Sequence, residues 1–288
     1  MVDAPPNIVT GTTPQVDADD PTLVHSFIGD AWGLFFAQGG VVAAAALRAM
    51  ESVLDRPDLR LASASAVFCL PVACGPVATR VEVLRNGRRG AQVFGALRDA
   101  TAPPDASNVA VTAVFTDPML DGPRLSPLRR PAVFGAPPEV TPVVQRPDSV
   151  LDYPLGFLDN TEWQVAATDT AGADDTGGSA PRIALWFRFT DPPAPAGGPW
   201  DPAILTIPGD ALGSALVPAL GDGTRPVGSV SLQISLHVFG EARGTWIGID
   251  STCTNVGNGL ANGVLHLWSE TGEHIATVTQ TAMLRSLG

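Results

Sequence analysis

The chain has 288 residues, 45% of them hydrophobic and 16% charged, with a net charge of −12. That much apolar content fills a globular interior and excludes a disordered chain, and the length admits two ordinary domains or one large one. The negative balance makes nucleic acid and anionic membrane surfaces poor partners, although arginine, the only basic residue present besides histidine, can still hold phosphate locally.

Residues 1–20 are polar, with Asp17, Asp19 and Asp20 close together, and predict a flexible lead-in. Residues 23–34 predict a strand or turn. Gln38-Gly39-Gly40 then opens an alanine-rich stretch, Val41 to Met50, that is helix-forming and apolar on nearly every side. A helix apolar all round is enclosed or spans a membrane. The run from Leu34 to Leu47, interrupted by Gln38 and the glycines, falls short of the roughly 18–20 residues a span requires. It is therefore a core helix that something wraps.

Asp55 and Pro57 end that helix. Strand patterns follow at 61–68, 77–84, 91–97 and 109–115, the middle pair joined by Asn86-Gly87-Arg88-Arg89-Gly90. Residues 118–154 are proline-rich and form a surface connector, because proline cannot donate to a strand ladder. Strands at 160–167 and 182–190 flank an insert at 169–180. A helical region at 200–220 is broken at Pro208-Gly209, and strands at 230–239, 246–254, 260–268 and 275–284 complete the chain. The sequence thus divides into a lead-in (1–20), an N-terminal unit (21–117), the connector (118–154) and a C-terminal unit (155–288).

The two units echo each other. Gly75 and Gly244, Asn86 and Asn255, and Gly90 and Gly259 each lie 169 residues apart. With the shared order of helix then strand run, this predicts an internal repeat, each half an α+β unit of antiparallel sheet curled round its helix. Cys69, Cys74 and Cys253 are sparse and lack metal-ligand spacing, which predicts reduced thiols, no metal and a cytoplasmic setting. No basic segment followed by an apolar one opens the chain, so no signal peptide is expected. The four histidines are scattered, and there is neither a Gly-x-Ser-x-Gly nucleophile elbow nor a dinucleotide fingerprint.

Gln38-Gly39-Gly40-Val41-Val42-Ala43, then 66–72 and 75–77, then Val81-Glu82-Val83-Leu84-Arg85-Asn86-Gly87-Arg88, and above all 275–285 (Ile-Ala-Thr-Val-Thr-Gln-Thr-Ala-Met-Leu-Arg), resemble the acyl-CoA thioesterase II family. The resemblance implies a double hotdog fold, two antiparallel sheets each wrapped round a central helix. It also implies hydrolysis of fatty acyl-CoA with no cofactor, in a homo-oligomer. Carried over by motif, the catalytic aspartate is Asp210, the hydroxyl Ser231 and the strand glutamine Gln280. Gln38, Gly39, Gly40, Gln233, Arg88, Asn258 and Gly259 would line the substrate.

Two departures stand out. Gln38 replaces the phenylalanine of the usual Phe-Gly-Gly, and the turn at 255–262 lacks the arginine often found beside the pocket. The residues themselves leave alternatives open. Asp210 after Pro208-Gly209 could cap a helix, Gln38 could be a cap or turn residue, and Arg88-Arg89 could serve solubility. Gln280 shares an inward strand face with Val278 and Ala282, an unusual place for an amide. A non-catalytic acyl-thioester-binding protein would keep the same fold. A hotdog dehydratase or hydratase would need a histidine, such as His237, near an acid.

Overall fold

The computed structural model describes residues 7–123, 125–139, 155–169, 181–220 and 227–286. The insert expected at 169–180 and the end of the connector lie, save Asp169, outside them. In chain order the principal elements are α1 (Ile8–Gly11), β1 (Gln15–Val16), β2 (Leu23–Ile28), α2 (Gly39–Leu54), β3 (Arg60–Phe68), β4 (Gly75–Gly87), β5 (Gly90–Asp99), β6 (Val109–Thr116), α3 (Gly156–Asp159), β7 (Thr161–Asp169), β8 (Arg182–Phe189), α4 (Thr206–Gly209), α5 (Leu212–Leu220), β9 (Val227–Val238), β10 (Ile247–Gly257), β11 (Leu260–Trp268) and β12 (His274–Ser286).

All twelve strands belong to one antiparallel sheet, ordered β1-β2-β4-β5-β6-β3-β9-β12-β11-β10-β8-β7. The double hotdog is therefore present, its two sheets fused where β3 pairs with β9, from Ser63↔His237 to Val67↔Gln233. From that seam outward the two halves read alike: β3, β6, β5, β4, β2, β1 on one side and β9, β12, β11, β10, β8, β7 on the other. The repeat seen in sequence becomes an approximate twofold. Gly75 and Gly244 both take positive φ just before or at the start of equivalent strands, and the tight turns that follow those strands carry Gly259 in one half and lead into Gly90, the first residue of β5, in the other.

The sheet encloses the helices. Gly40 to Leu47, Ala49, Met50 and Leu54 of α2 are all buried, which answers why this helix carries no polar stripe. The counterpart in the C-terminal half is apolar enough by length and composition from Pro202 to Leu220 to cross a bilayer, but 71% of it is buried inside the protein. It is also broken, with α4 ending at Gly209 and α5 starting at Leu212.

One sequence expectation needs correction and one gains detail. The lead-in is docked rather than flexible from Asn7 onward: Asn7 caps α1, Ile8 is fully buried, and Arg48 of α2 donates to Val9 O and Thr12 O. The connector is anchored as well. Phe134 packs beneath Trp186, Trp246 and Trp268 on the outer face of the C-terminal sheet, and Arg130 donates to Ser269 O and Glu270 O. The three cysteines carry free thiols.

Candidate active site

The break between α4 and α5 is where the chemistry gathers. Asp210 leaves the helix with φ −90° and ψ 43°, and its carboxylate does not cap α5, the helix that follows it. It reaches the start of α2 in the other half, where Oδ2 accepts from Gly40 N at 3.0 Å. Asp210 thus accepts from a helix N-terminus, that of α2 in the other half. The positive end of the 16-residue α2 dipole faces this anion.

That reach depends on backbone approaching backbone. A Cβ on Gly40 would lie 2.6 Å from Ile207 Cα, and one on Gly39 would lie 2.7 Å from Asp210 Oδ2. Neither glycine admits a side chain. Thr206 Oγ1 is 2.7 Å from Gly40 O and fastens the two helical elements together.

Around the carboxylate stand three further side chains. Ser231 Oγ donates to Oδ1 at 2.7 Å. Gln280 Nε2 donates to Oδ1 at 2.5 Å and to Ser231 Oγ at 2.8 Å. Gln38 Nε2 donates to Oδ2 at 2.8 Å. Gln280 is 4% exposed and Gln38 5%, so these amides are satisfied by protein and not by bulk water. Each is oriented by a backbone N–H at a helix start. Leu212 N donates to Gln280 Oε1 at 3.1 Å, and Val41 N donates to Gln38 Oε1 at 2.9 Å. With the oxygens thus engaged, both NH₂ groups face Asp210. Burial pushes the Asp210 carboxyl up from 3.8 to about 6, against the hydrogen bonds from Ser231, Gly40 and Gln280 that pull it down.

Ser231 reaches this inward face through a β-bulge. In the β12–β9 ladder Thr281 pairs with Gln233 but the next residue, Ala282, pairs with Ser231, leaving Leu232 as the extra residue. Without that insertion Ser231 and Gln233 would share a face. Instead Gln233 points to the outer side, where it donates to Ser235 Oγ and Ser65 Oγ. The expectation that Gln233 lines the same pocket is therefore corrected.

Arg88 is also displaced. Its turn is held by Arg56, just beyond the C-terminal end of α2, which donates to Gly87 O and Arg88 O. Asp210 lies at the other end of that helix, about 24 Å away at about 1.5 Å per residue. Asn258 and Gly259 sit in the β10–β11 turn. Along β11 they lie about 13 Å from Gly263, the residue paired with Gln280. None of the three joins the carboxylate cluster. His237 is exposed on the outer face, away from Asp210, so the dehydratase alternative gains no acid–histidine pair there.

The site is single because the repeat is chemically unequal. Gln280 pairs with Gly263 and Ile234; at the equivalent place in the N-terminal half Val111 pairs with Gly95 and Ala66. Valine there leaves that half without an amide. Sequence reasoning placed Gln38, Gly39 and Gly40 at the substrate; what it missed is that the Gly40 N–H and the Gln38 amide bind the Asp210 carboxylate itself. The one local signal was a buried-type position, before a glycine pair, carrying an amide.

The fused antiparallel sheets, each half wrapped round its helix, define a double hotdog protein, and between its two helices lies one buried carboxylate with a raised pKa, held by a hydroxyl and amides. Residues 30–117 match the acyl-CoA thioesterase N-terminal domain and residues 136–284 the acyl-CoA thioesterase C-terminal domain. The chain belongs to the acyl-CoA thioesterase family, whose chemistry is thioester hydrolysis. Among solved structures it is similar to a tesB protein of Mycobacterium avium subsp. paratuberculosis, at 18% identity and TM-score 0.73 over 96% of this chain and 98% of that one. A putative thioesterase from Novosphingobium aromaticivorans gives 24% and 0.72 over 95% and 99%. An acyl-CoA thioesterase II from Mycobacterium marinum gives 19% and 0.68 over 96% of each. At these identities the likeness is one of fold. No curated protein matches the chain.

Proposed function

We propose that the protein hydrolyses fatty acyl-CoA to the free acid and CoA, with Asp210 as general base, and with Ser231 and Gln280 holding the attacking water. One observation carries this reading: the Asp210 carboxyl, raised to about 6 by burial, meets Ser231 Oγ and Gln280 Nε2 at one oxygen. A base with that pKa is mostly ionised at neutral pH and still basic enough to accept a proton. Water bound to Oδ1 and the Ser231 hydroxyl attacks the thioester carbonyl and passes its proton to Asp210. With Gly40 N on Asp210 and Val41 N on Gln38, the Gly39 N–H at the start of α2 is the candidate donor to the developing oxyanion. The thiolate leaves readily because a thiol pKa is about 8.5, so no strong general acid is needed.

The free thiols fit a cytoplasmic setting, and β7, an edge strand among the described residues, with Val165 exposed, fits association with a second copy. The test is turnover of an acyl-CoA series from short to long chains, followed with a thiol-trapping dye. Hydrolysis of one length class supports the reading and reports the preference. No hydrolysis at any length overturns it and favours a binding protein that keeps acyl thioesters intact.

A further inference from the structure

The Asp210 carboxylate is divided between the two halves of the chain. Oδ1 takes only C-terminal donors, Ser231 Oγ at 2.7 Å and Gln280 Nε2 at 2.5 Å. Oδ2 takes only N-terminal ones, Gly40 N at 3.0 Å and Gln38 Nε2 at 2.8 Å. A carboxylate offers about four lone-pair sites, so all are filled, and a water can be activated only where a donor yields.

The two oxygens differ in how easily that happens. On Oδ1 the Ser231 hydroxyl can rotate and act as donor or acceptor, and Gln280 Nε2 already divides itself between Asp210 and Ser231. On Oδ2 one donor is backbone. The other, Gln38, has its Oε1 engaged by Val41 N as Gln280 has by Leu212 N, so the asymmetry lies in the rotatable Ser231 hydroxyl and shared Gln280 Nε2 on Oδ1 against the fixed Gly40 N–H on Oδ2.

We infer that Gln38 is a positioning residue, which holds Oδ2 of Asp210 so that Oδ1 is the oxygen that meets the hydrolytic water. The inference rests on the hydrolase reading above. Two halves with different duties then make one centre, the N-terminal half fixing the base and the C-terminal half presenting the water. The groups that face the carboxylate are Gln38 and the backbone of Gly39 and Gly40 from α2, Ser231 from β9, Gln280 from β12 and, beside Gly39, the Phe68 ring of β3. None is titratable or charged. The proton affinity of Asp210 is therefore governed by burial and by neutral donors, and removing one donor has a readable effect.

Gln38→Ser separates capping from positioning. Serine keeps an N-cap oxygen for the start of α2 but is too short to reach Asp210. Gln38→Met keeps the length and removes the amide, and serves if the serine variant does not fold. The first readout needs no substrate: the Asp210 carboxyl is titrated by NMR in protein labelled at the aspartate carboxyl carbon, its signal assigned by its loss in Asp210→Asn. The second is the pH dependence of kcat and kcat/KM.

In both variants the titration midpoint rises by about one pH unit and the acidic limb of kcat/KM moves with it. At neutral pH kcat falls about tenfold while KM stays within about twofold. An unmoved midpoint, or a moved midpoint with an unmoved acidic limb and unchanged kcat, overturns the inference and leaves Gln38 as a cap. Absence of hydrolysis by the unsubstituted protein refutes the reading beneath it instead, so the two failures are distinguishable.

Discussion

Replacing Asp210 by asparagine is expected to cut activity sharply and to remove a loss of stability that the unsubstituted chain suffers as pH rises. Burial raises the folded carboxyl from 3.8 to about 6, so the folded state binds a proton more tightly than the unfolded chain does. The stabilising contribution of this group is then fully present below about pH 4 and is lost as pH rises through about 6. At about 1.4 kcal/mol per pH unit, the ionised group costs about 3 kcal/mol at pH 8 relative to the protonated one. Asparagine carries no such dependence. Its NH₂ must face two of the four donors now on the carboxylate, a penalty independent of pH. The difference in unfolding free energy between the two proteins, from urea denaturation, should shift by about 3 kcal/mol in favour of Asp210→Asn between pH 4 and pH 8. Over the same samples kcat should fall by about 10²–10⁴. Parallel stability profiles for the two proteins would refute the claim that Asp210 is held in a desolvating site. Undiminished turnover would move the base elsewhere.

Three further outcomes follow from the geometry. Gln280→Met removes the amide that donates to Asp210 and Ser231 and accepts from Leu212 N; kcat should fall about 10-fold to 100-fold, with the acidic limb of the pH–rate curve displaced upward. Gly40→Ala forces a methyl to within 2.6 Å of the Ile207 backbone, and a thermal melt should show a loss of about 3 kcal/mol or more, because neither helical element can retreat from the enclosing sheet. Arg188 is 5% exposed, pairs with Glu162 at 2.6 Å and lies over the Trp246 ring. Arg188→Met leaves the partly buried Glu162 carboxylate without a counter-ion, its one remaining side-chain donor among the described residues being Gln164 Nε2, and should cost about 2–3 kcal/mol in urea denaturation while leaving the Asp210 cluster untouched.

The sequence by itself determined the elements and their repeat. Alanine propensity and the missing polar stripe mark α2, and strand patterns mark β3 to β12, mostly alternating but a continuous apolar run in β8, because these signals are written into neighbouring residues and need no distant partner. The inward face of Gln280 was legible for the same reason, since Val278 and Ala282 flank it in a regular strand. Legibility stopped where regularity did. Leu232 bulges in β9, and that one extra residue sends Ser231 inward and Gln233 outward, although simple alternation puts them together. The docking of Ile8 was hidden because four helical residues in a polar segment carry too short a pattern to reveal a buried face.

What only the tertiary structure decided is who meets whom. Gln38 and Asp210 are 172 residues apart, and the β3–β9 ladder that joins the halves spans a similar separation. Hydrophobic pattern states that a face is buried but not against what, so neither the fused sheet nor the shared carboxylate could be read along the chain. Arg88 shows the converse: close in sequence to motif residues, it lies beyond the far end of α2 from the site. A rigid helix holds its two ends about 24 Å apart, and it is that rigidity, together with the backbone contact at Gly40, that places the base at one end and excludes the arginine turn at the other.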